Sequence, residues 1–492
     1  MPERNPGLGC NRRLCVHCLR RCANIIGGPA PRLSQGEKTT SEETAMTARS
    51  SHVFPRHTKS LPPVAVSGAG CYLYDQDGKA YLDGSGGAAV SCLGHGDKAV
   101  TEAIKAQLDK LAFAHTGFLS SEPAEALADK LIEKAPAGLD RVYYVSGGSE
   151  AVEAAIKMAR QYAIETGHPG KSRLIARRQS YHGNTLGALA AGGNEWRREP
   201  FKPLLADGSH IAPCYAYRDR QPGESVEAYG MRVANELEEE IERHGAENVL
   251  AFIAEPVVGA TLGAVPAVPG YFKRIREICD KHKVLLILDE VMCGMGRTGS
   301  LFACEQEGVT PDLVAIAKGL GAGYQPIGAL LCTSEVYRAF DEGTGFFQHG
   351  QTYLGHPAAC AGSLAVLQQF EERALITRCR AQGEKLDAAL RDRFGQHAHV
   401  GDIRGRGLFR GLEFVADPET KDAFDPALRI HARLKKTAFE NGLICYPMGG
   451  TIDGRRGDHV LLAPPFIVTD DEIGELVDKL GRSVDEVLAA VA

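Results

Sequence analysis

Short apolar runs alternate with segments of helical spacing through the middle of the chain. Apolar runs of strand length occur at residues 142–145, 174–176, 249–254, 285–288 and 329–332. Helical segments fall between several of them. Apolar strands joined by helices are typical of a parallel sheet that is buried on both faces. The pattern therefore predicts an α/β fold with a mostly parallel central sheet flanked by helices.

The two ends of the chain follow other patterns. The run GCYLYDQDGKAYLDG, residues 70–84, alternates polar and apolar positions around Asp77-Gly78, which predicts a β-hairpin. After about residue 376 the pattern becomes helix, strand and helix, which indicates a smaller α+β domain. The predicted parts are a disordered extension at 1–45, an N-terminal segment at 46–96 that contributes to the small domain, a large domain at 97–375 and the C-terminal small domain at 376–492.

Composition and charge exclude several classes of partner. No window approaches the roughly 18 uninterrupted apolar residues of a membrane span. The net charge of −6 gives no reason to expect nucleic acid or an anionic membrane as a partner. The 14 cysteines are widely spread, which is typical of reduced thiols rather than of a disulfide scaffold. We predict a soluble, cytoplasmic protein without structural disulfides.

The first 45 residues have a composition of their own. Cys10, Cys15, Cys18 and Cys22 lie with His17 among several arginines. Three readings fit this segment: a zinc site, an Arg-rich organellar leader, or an extension ahead of the folded domain with Met46 as the true start. A short cluster without a surrounding framework is weak support for a metal. We favour a disordered extension and predict no metal site.

Two adjacent carboxylates follow the apolar run at 285–288. In VLLILDEV, residues 284–291, they are Asp289 and Glu290. Ligands of open α/β sheets bind just beyond the carboxyl ends of the strands, so an acid there is well placed to act. The alternative is that Asp289 only caps the following turn.

Two further stretches carry possible chemistry. VYYVSGGSEAVEAAIKMAR, residues 142–160, is a strand, a glycine turn and a helix, and the free N–H groups of such a helix start bind phosphate. In PDLVAIAKGLGAGYQPIGALL, residues 311–331, Lys318 follows an apolar run and precedes three glycines. Desolvation there would lower the pKa of the lysine and favour a nucleophilic amine. A phosphate cradle, a strand-end acid and such a lysine are the parts that pyridoxal phosphate requires.

With these parts together, the chain resembles the class III aminotransferases of the pyridoxal-phosphate fold type I superfamily from about residue 55 to its end. LLILDEVMCGMGRTGSLFACEQEGVTPDLVAIAKGLGAGYQPIGA, residues 285–329, matches both halves of the family signature. The resemblance implies a dimeric enzyme with pyridoxal 5'-phosphate as its cofactor.

The resemblance also implies a role for individual residues. Lys318 would form the Schiff base and move the proton. Asp289 would hold the pyridine N–H of the cofactor. Val291 and Tyr181 would lie on the two faces of the cofactor ring. Gly148 and Ser149 would bind the phosphate, and Thr352 would contact the cofactor phosphate of the neighbouring subunit. Glu255 would lie near the substrate pocket, whereas Glu290 and Arg297 would be structural.

Four positions depart from the family pattern, and two of them, Met292 and Leu461, depart from members that use α-ketoglutarate. Met292 stands where many of them have a glutamine that binds the phenolic oxygen of the cofactor. Leu461 stands where an arginine would fix the α-carboxylate. Ala88 and Ala89 lie where some relatives place large pocket residues. The run GRRGDHVLLAPPFIVT instead resembles the ω-transaminase branch, in which a mobile arginine binds the keto acid.

We therefore expect a homodimeric aminotransferase that moves an amino group from an amine or ω-amino acid to a keto acid, most simply pyruvate. Arg455 and Arg456 are the candidates for the mobile arginine. A pyridoxal-phosphate racemase or aminomutase on the same fold is the alternative, and a non-catalytic binding protein is a more distant one. A nicotinamide dehydrogenase is disfavoured because no GxGxxG follows an early strand. The sequence leaves the donor amine open.

Overall fold

The computed structural model describes residues 51–490. The predictions for residues 1–45, including the zinc site and the leader, lie outside the described residues. Residues 51–62 belong to a separate unit without helix or strand, and all regular elements lie in the unit that begins at Pro63.

The strands are β1 (Ala65–Ala69), β2 (Tyr72–Asp75), β3 (Ala80–Asp83), β4 (Leu139–Val145), β5 (Arg173–Arg177), β6 (Gly208–Ile211), β7 (Val249–Ala254), β8 (Val257–Val258), β9 (Val265–Pro266), β10 (Leu285–Asp289), β11 (Leu313–Ile316), β12 (Gly328–Thr333), β13 (Val400–Arg406), β14 (Phe409–Phe414), β15 (Leu443–Ile444), β16 (Tyr446–Gly449) and β17 (Asp458–Leu462).

The α-helices are α1 (Gly86–Ala89), α2 (Lys98–Lys110), α3 (Glu122–Lys134), α4 (Gly148–Glu165), α5 (Leu186–Ala191), α6 (Glu195–Arg198), α7 (Ala216–Asp219), α8 (Val226–His244), α9 (Tyr271–His282), α10 (Ser334–Glu342), α11 (Pro357–Glu372), α12 (Leu375–Phe394), α13 (Ile430–Glu440) and α14 (Asp470–Ala489). Short 3-10 helices span Glu199–Leu204, Ala303–Glu307, Lys318–Leu320 and Pro426–Leu428.

The central sheet has seven strands in the order β4-β12-β11-β10-β7-β5-β6. β10 is parallel to β7 and β11, and β5 is parallel to β6 and β7. β12 is antiparallel to both of its neighbours, so β4 runs in the same direction as β11. The predicted mostly parallel sheet of a fold type I transferase is thereby confirmed. Because six strands share one direction, their carboxyl ends meet at one edge, where ligands of such sheets bind.

Helix α4 packs through a face of small residues. Ala151, Ala155 and Ala159 are fully buried and belong to the same core cluster as Ile287 of β10 and Leu330 of β12. Alanine side chains let the helix axis approach the sheet closely, since nothing larger separates them. This packing fixes the start of α4 at the carboxyl end of β4.

The N-terminal strands join a strand from the other end of the chain. A four-stranded sheet has the order β1-β2-β3-β15, and Leu443 of β15 pairs with Leu82 of β3 in parallel. β2 and β3 form the hairpin that was predicted around Asp77-Gly78. A second four-stranded sheet has the order β13-β14-β17-β16 and is antiparallel throughout. The division into a large and a small domain stays a prediction.

Two properties, the state of the cysteines and the apolar character of the helices, concern all the described residues. The ten cysteines among residues 51–490 are all free and buried. Within the same range, no helix combines the length and the apolar character that a membrane crossing requires.

Candidate active site

The loops after β4, β5, β7, β10 and β11 meet at the carboxyl edge of the central sheet. Contacts between these loops bring together most of the residues singled out in the sequence. Those residues are Gly148, Ser149, Tyr181, Glu255, Asp289, Val291 and Lys318.

The start of α4 is open toward the site. Gly147 occupies the N-cap position, and no side chain within residues 51–490 caps the helix. A Cβ atom built on Gly147 would meet no atom within 4 Å, so free space adjoins the first turn. The Ser149 hydroxyl accepts a hydrogen bond from Asn184 N at 3.1 Å, which positions it at the same turn. The first N–H groups of this 18-residue helix and its dipole suit a phosphate group.

Gly148 and Val291 are in direct contact. A Cβ atom on Gly148 would lie 2.5 Å from Cγ1 of Val291, closer than van der Waals contact allows. Val291 follows the strand-end acid on β10, so this contact sets the spacing between the phosphate cradle and the acid. Only glycine fits at position 148 without a shift of the branched side chain.

Gly148→Ala is expected to weaken cofactor binding by roughly 10-fold or more, since overpacking of this kind costs about 1–3 kcal/mol and displaces Val291. Titration of the cofactor-free protein with pyridoxal phosphate, followed by absorbance, measures the effect. Gly474→Ala is the matched control, because Gly474 is exposed on α14 and its added Cβ meets nothing. Unchanged affinity in the Gly148 variant would contradict the assignment of this turn.

Asp289 is held in place by two hydrogen bonds. His182 Nδ1 donates to Asp289 Oδ2 at 2.8 Å, and Val291 N donates to Oδ1 at 3.0 Å. Both side chains of the Asp289–His182 pair are buried, with 3% exposure each. Such pairing orients a carboxylate and stabilises its charge away from water. The sequence analysis did not single out His182, although it directly follows Tyr181.

Two other buried charged groups near Asp289 make structural contacts. Glu290 accepts hydrogen bonds from Ala303 N at 2.5 Å and Cys304 N at 2.8 Å, and burial raises the pKa of Glu290 to about 7. Arg297 is fully buried and donates to Pro464 O at 2.6 Å. Their side chains hold backbone segments together and are not available for chemistry.

Lys318 has the properties of a nucleophilic lysine. Its side chain forms no hydrogen bond or salt bridge with any residue in the described range 51–490. Lys318 is partly accessible. Desolvation nevertheless lowers its pKa to about 8, and the negative charge of Asp289 opposes this shift. Its backbone φ is 48°, in the left-handed region that residues with a side chain seldom adopt.

The reactivity of Lys318 should report this pKa. At pH 7 about one tenth of a lysine with a pKa near 8 is the neutral, nucleophilic amine, against about one in 3,000 at a pKa of 10.5. In cofactor-free protein, acetylation of Lys318 by limiting acetic anhydride is expected to rise with pH and level off above about 9. Mass spectrometry measures it, with the exposed Lys273 as the reference. A rate that still increases above pH 10 would contradict the lowered pKa.

Glu255 supports the backbone of Tyr181. Its Oε1 accepts a hydrogen bond from Tyr181 N at 3.1 Å, and its Oε2 lies 3.5 Å from Nη2 of the fully buried Arg177. Burial raises the pKa of Glu255, and the neighbouring charges of His182 and Arg177 oppose that rise. Glu255 thus supports the backbone at Tyr181.

Arg197 is a site residue that the sequence analysis missed. It lies on the short helix α6, and its guanidinium carbon is 4.6 Å from the centre of the Tyr181 ring. Its charge also contributes to the lowered pKa of Lys318, after desolvation. The only signal in the sequence is the pair Arg197-Arg198 in NEWRREP, which could equally be solvated charges.

Arg455 and Arg456 lie on an exposed turn after β16. Asp453 Oδ1 accepts hydrogen bonds from the backbone N–H groups of both arginines. Asp453 Oδ2 accepts one from the side-chain Nε of Arg456 at 2.7 Å. Gln179 Nε2 ties the start of the turn to the site by donating to Gly450 O at 2.6 Å. The turn therefore adjoins the loop that carries Tyr181, while the side chain of Arg456 is engaged locally.

Thr352 lies apart from this group. It is exposed on a turn before α11, and no contact links its side chain to Lys318 or Asp289 within the described chain. The next residue, Tyr353, is 61% exposed.

Three of the four positions that depart from the family pattern meet in one apolar cluster. Met292, Leu461 and Ala89 pack together with Phe409, and Leu461 is fully buried in β17. Leu461 itself offers no charge that could pair with an α-carboxylate.

Comparison with known proteins decides the family. The profile described as Aminotransferase class-III matches residues 53–484. The chain belongs to the class III aminotransferases. The resemblance inferred from the sequence is thereby confirmed, and the protein is an enzyme that transfers amino groups. Class III aminotransferases depend on pyridoxal phosphate.

Relatives of this class III aminotransferase cover nearly its whole length. An uncharacterized aminotransferase of Schizosaccharomyces pombe is 44% identical over 92% of this chain and 99% of its own. The ω-transaminase of Pseudomonas jessenii in complex with PMP has a TM-score of 0.84 at 32% identity and covers 90% of this chain and 97% of its own. An (S)-enantioselective ω-transaminase from Thermomicrobium roseum has a TM-score of 0.83 at 36% identity, covering 89% and 96%.

Proposed function

We propose that this aminotransferase takes the amino group of an amine or ω-amino acid and delivers it to a keto acid, with pyruvate as the first candidate. The observation that carries the proposal is that Met292, Leu461 and Ala89 form an apolar cluster in the site that also contains Lys318 and Asp289. An α-amino acid donor needs a fixed cation for its carboxylate, and position 461 offers none. A donor without an α-carboxylate has no such requirement.

The side chains at the sheet edge fit pyridoxal 5'-phosphate. The open first turn of α4, with Gly148 and Ser149, would hold the phosphate. Asp289 would bind the pyridine N–H, since it is a buried carboxylate fixed by His182. Val291 and Tyr181 would face the two sides of the ring. When bound, the cofactor supplies an electron sink for the carbanion character that develops at the substrate carbon.

Lys318 has two tasks in this proposal. Its amine would hold the cofactor, and the same Nζ would accept and return the proton that the reaction moves. A group that both accepts and releases a proton works best when its pKa lies near the working pH. Desolvation lowers the pKa of Lys318 to about 8, which meets this condition.

We further propose a homodimer with shared active sites. Thr352 would contact the cofactor phosphate of the second subunit, and this role explains its exposure on a turn in one subunit. Large apolar side chains nearby are exposed too, with Phe346 and Tyr353 at 61% each and Phe118 at 87%. Exposed apolar side chains of this size mark an interaction surface. The cytoplasm is the proposed compartment, because the ten described cysteines are free.

The test is a matrix of donors and acceptors with purified protein and pyridoxal phosphate. Donors are putrescine, 1-phenylethylamine, β-alanine and a series of α-amino acids, and acceptors are pyruvate and α-ketoglutarate. We expect alanine to form from pyruvate with donors that lack an α-carboxylate. Turnover restricted to α-amino acids with α-ketoglutarate would refute the proposed substrate class.

A further inference from the structure

Arg197 is a cation without an anionic partner at the edge of the site. Within residues 51–490 its guanidinium forms no salt bridge, and its Nε atom is buried without a hydrogen-bond acceptor. Most buried polar groups in folded proteins have a partner, so an orphaned arginine nitrogen calls for a ligand. The Nε atom of the neighbouring Arg198 is buried without an acceptor too, but Arg198 has an anionic partner, because its Nη1 donates to Glu195 at 3.0 Å.

Two aromatic rings hold Arg197 in place. Its guanidinium carbon is 4.6 Å from the centre of the Tyr181 ring and 5.7 Å from that of Trp196. Contacts of this kind cover the faces of the planar group and leave its N–H edge for an in-plane acceptor. Since Tyr181 is the ring proposed to lie on the cofactor, Arg197 is next to the place where a substrate would bind.

The charge of Arg197 reaches Lys318. Its positive charge lowers the pKa of Lys318, as the smallest contribution after desolvation and the opposing charges of Asp289, Cys293 and Glu255. An anion bound at Arg197 would lie beside the ring of Tyr181. Carboxylates form short, paired hydrogen bonds with guanidinium groups, and this geometry selects them over neutral ligands.

The arginines predicted from the sequence are less suited to this task. The Nε atom of Arg456 donates to Asp453 Oδ2 at 2.7 Å. The backbone N–H groups of Arg455 and Arg456 donate to Oδ1 of the same carboxylate. The turn at Gly454 packs beside Glu195 and Trp196, so Arg455 remains near enough to be tested as a rival.

We propose that Arg197 binds the carboxylate of the keto-acid acceptor and so determines which carbonyl compounds accept the amino group. This inference rests on the proposed function, since it assigns the acceptor subsite of the same active site. Arg197 would place a cation beside Tyr181 for the carboxylate of the keto acid and of the amino acid formed from it, whereas the position of Leu461 stays apolar.

The test compares two acceptors in Arg197→Met and Arg197→Lys. Pyruvate carries a carboxylate, whereas butyraldehyde does not. Loss of a charge-assisted bidentate contact is expected to raise the KM for pyruvate roughly 10- to 100-fold in Arg197→Met, with little change for butyraldehyde. Arg197→Lys keeps the charge and is expected to recover part of the affinity. Arg198→Met is the matched control, and Arg455→Met tests the rival.

A second readout does not depend on turnover. Trp196 is the only tryptophan of the chain and lies against Arg197. Titration of the holoenzyme with propionate, an unreactive carboxylate, is expected to change its fluorescence in the wild type and in Arg198→Met but not in Arg197→Met.

The outcomes separate the two proposals. Equal effects of Arg197→Met on pyruvate and butyraldehyde, or a rise in the KM for pyruvate only in Arg455→Met, would overturn the role of Arg197. If the wild type transfers no amino group from any donor to pyruvate, the proposed function fails. The propionate titration would then still decide whether Arg197 binds a carboxylate.

Discussion

Lys318→Ala is expected to reduce transamination by at least about 10⁴-fold, because the variant would lose the amine that we propose holds the cofactor and moves the proton. The fold should persist, since the Lys318 side chain forms no hydrogen bond or salt bridge within the described part of the chain. Steady-state kinetics with any accepted donor and circular dichroism of the variant measure the two effects.

The control for this variant is Lys273→Ala. Lys273 is an exposed residue of α9 and has no place in the site. Its replacement should leave both activity and fold near those of the wild type. Turnover by Lys318→Ala within tenfold of the wild type would mean that another group carries the chemistry.

Asp289→Asn is expected to lower kcat by roughly 10²- to 10³-fold, the range seen when one preorganised electrostatic partner is removed from an active site. Asparagine has the same shape but no negative charge, so it would not stabilise a protonated pyridine nitrogen. Its single amide oxygen can accept only one of the hydrogen bonds from His182 Nδ1 and Val291 N, so kcat is compared per folded molecule. The absorbance of the bound cofactor is expected to shift together with the loss of activity.

Glu290→Gln provides the contrast at the adjacent position. An amide can accept only one of the bonds that the Glu290 carboxylate receives from Ala303 N and Cys304 N. We expect a loss of about 1–3 kcal/mol in the free energy of unfolding, with kcat per folded molecule close to that of the wild type. Inactivation by Glu290→Gln without loss of stability would show that the acid of the site has been assigned to the wrong carboxylate.

The central sheet was largely predictable because its strands are short apolar runs. The run at 249–254 was predicted with the bounds that β7 has, and those at 174–176 and 329–332 fall inside β5 and β12. The four residues of β6, GSHI, were missed because they show no apolar pattern. That strand exists because the backbone pairs with β5, and no local signal encodes such pairing.

The site was predictable only where chemistry follows a strand end. Asp289 and Lys318 come directly after apolar runs, so local sequence placed them at the sheet edge. Arg197 contacts the Tyr181 ring because the intervening chain folds back on itself, and residue spacing along the sequence does not predict this contact. The burial of Leu461 was equally hidden, since it follows from the pairing of β17 with β14 and β16.

The most direct test of the account is a half-reaction with the purified holoenzyme. An excess of an amine without an α-carboxylate is added in the absence of any acceptor, and the absorbance of the bound cofactor is followed. We predict stoichiometric conversion of the lysine-bound cofactor to pyridoxamine phosphate in the wild type and none in Lys318→Ala. An absorbance that stays unchanged with every amine, in holoenzyme that contains the cofactor, would contradict transamination of such donors.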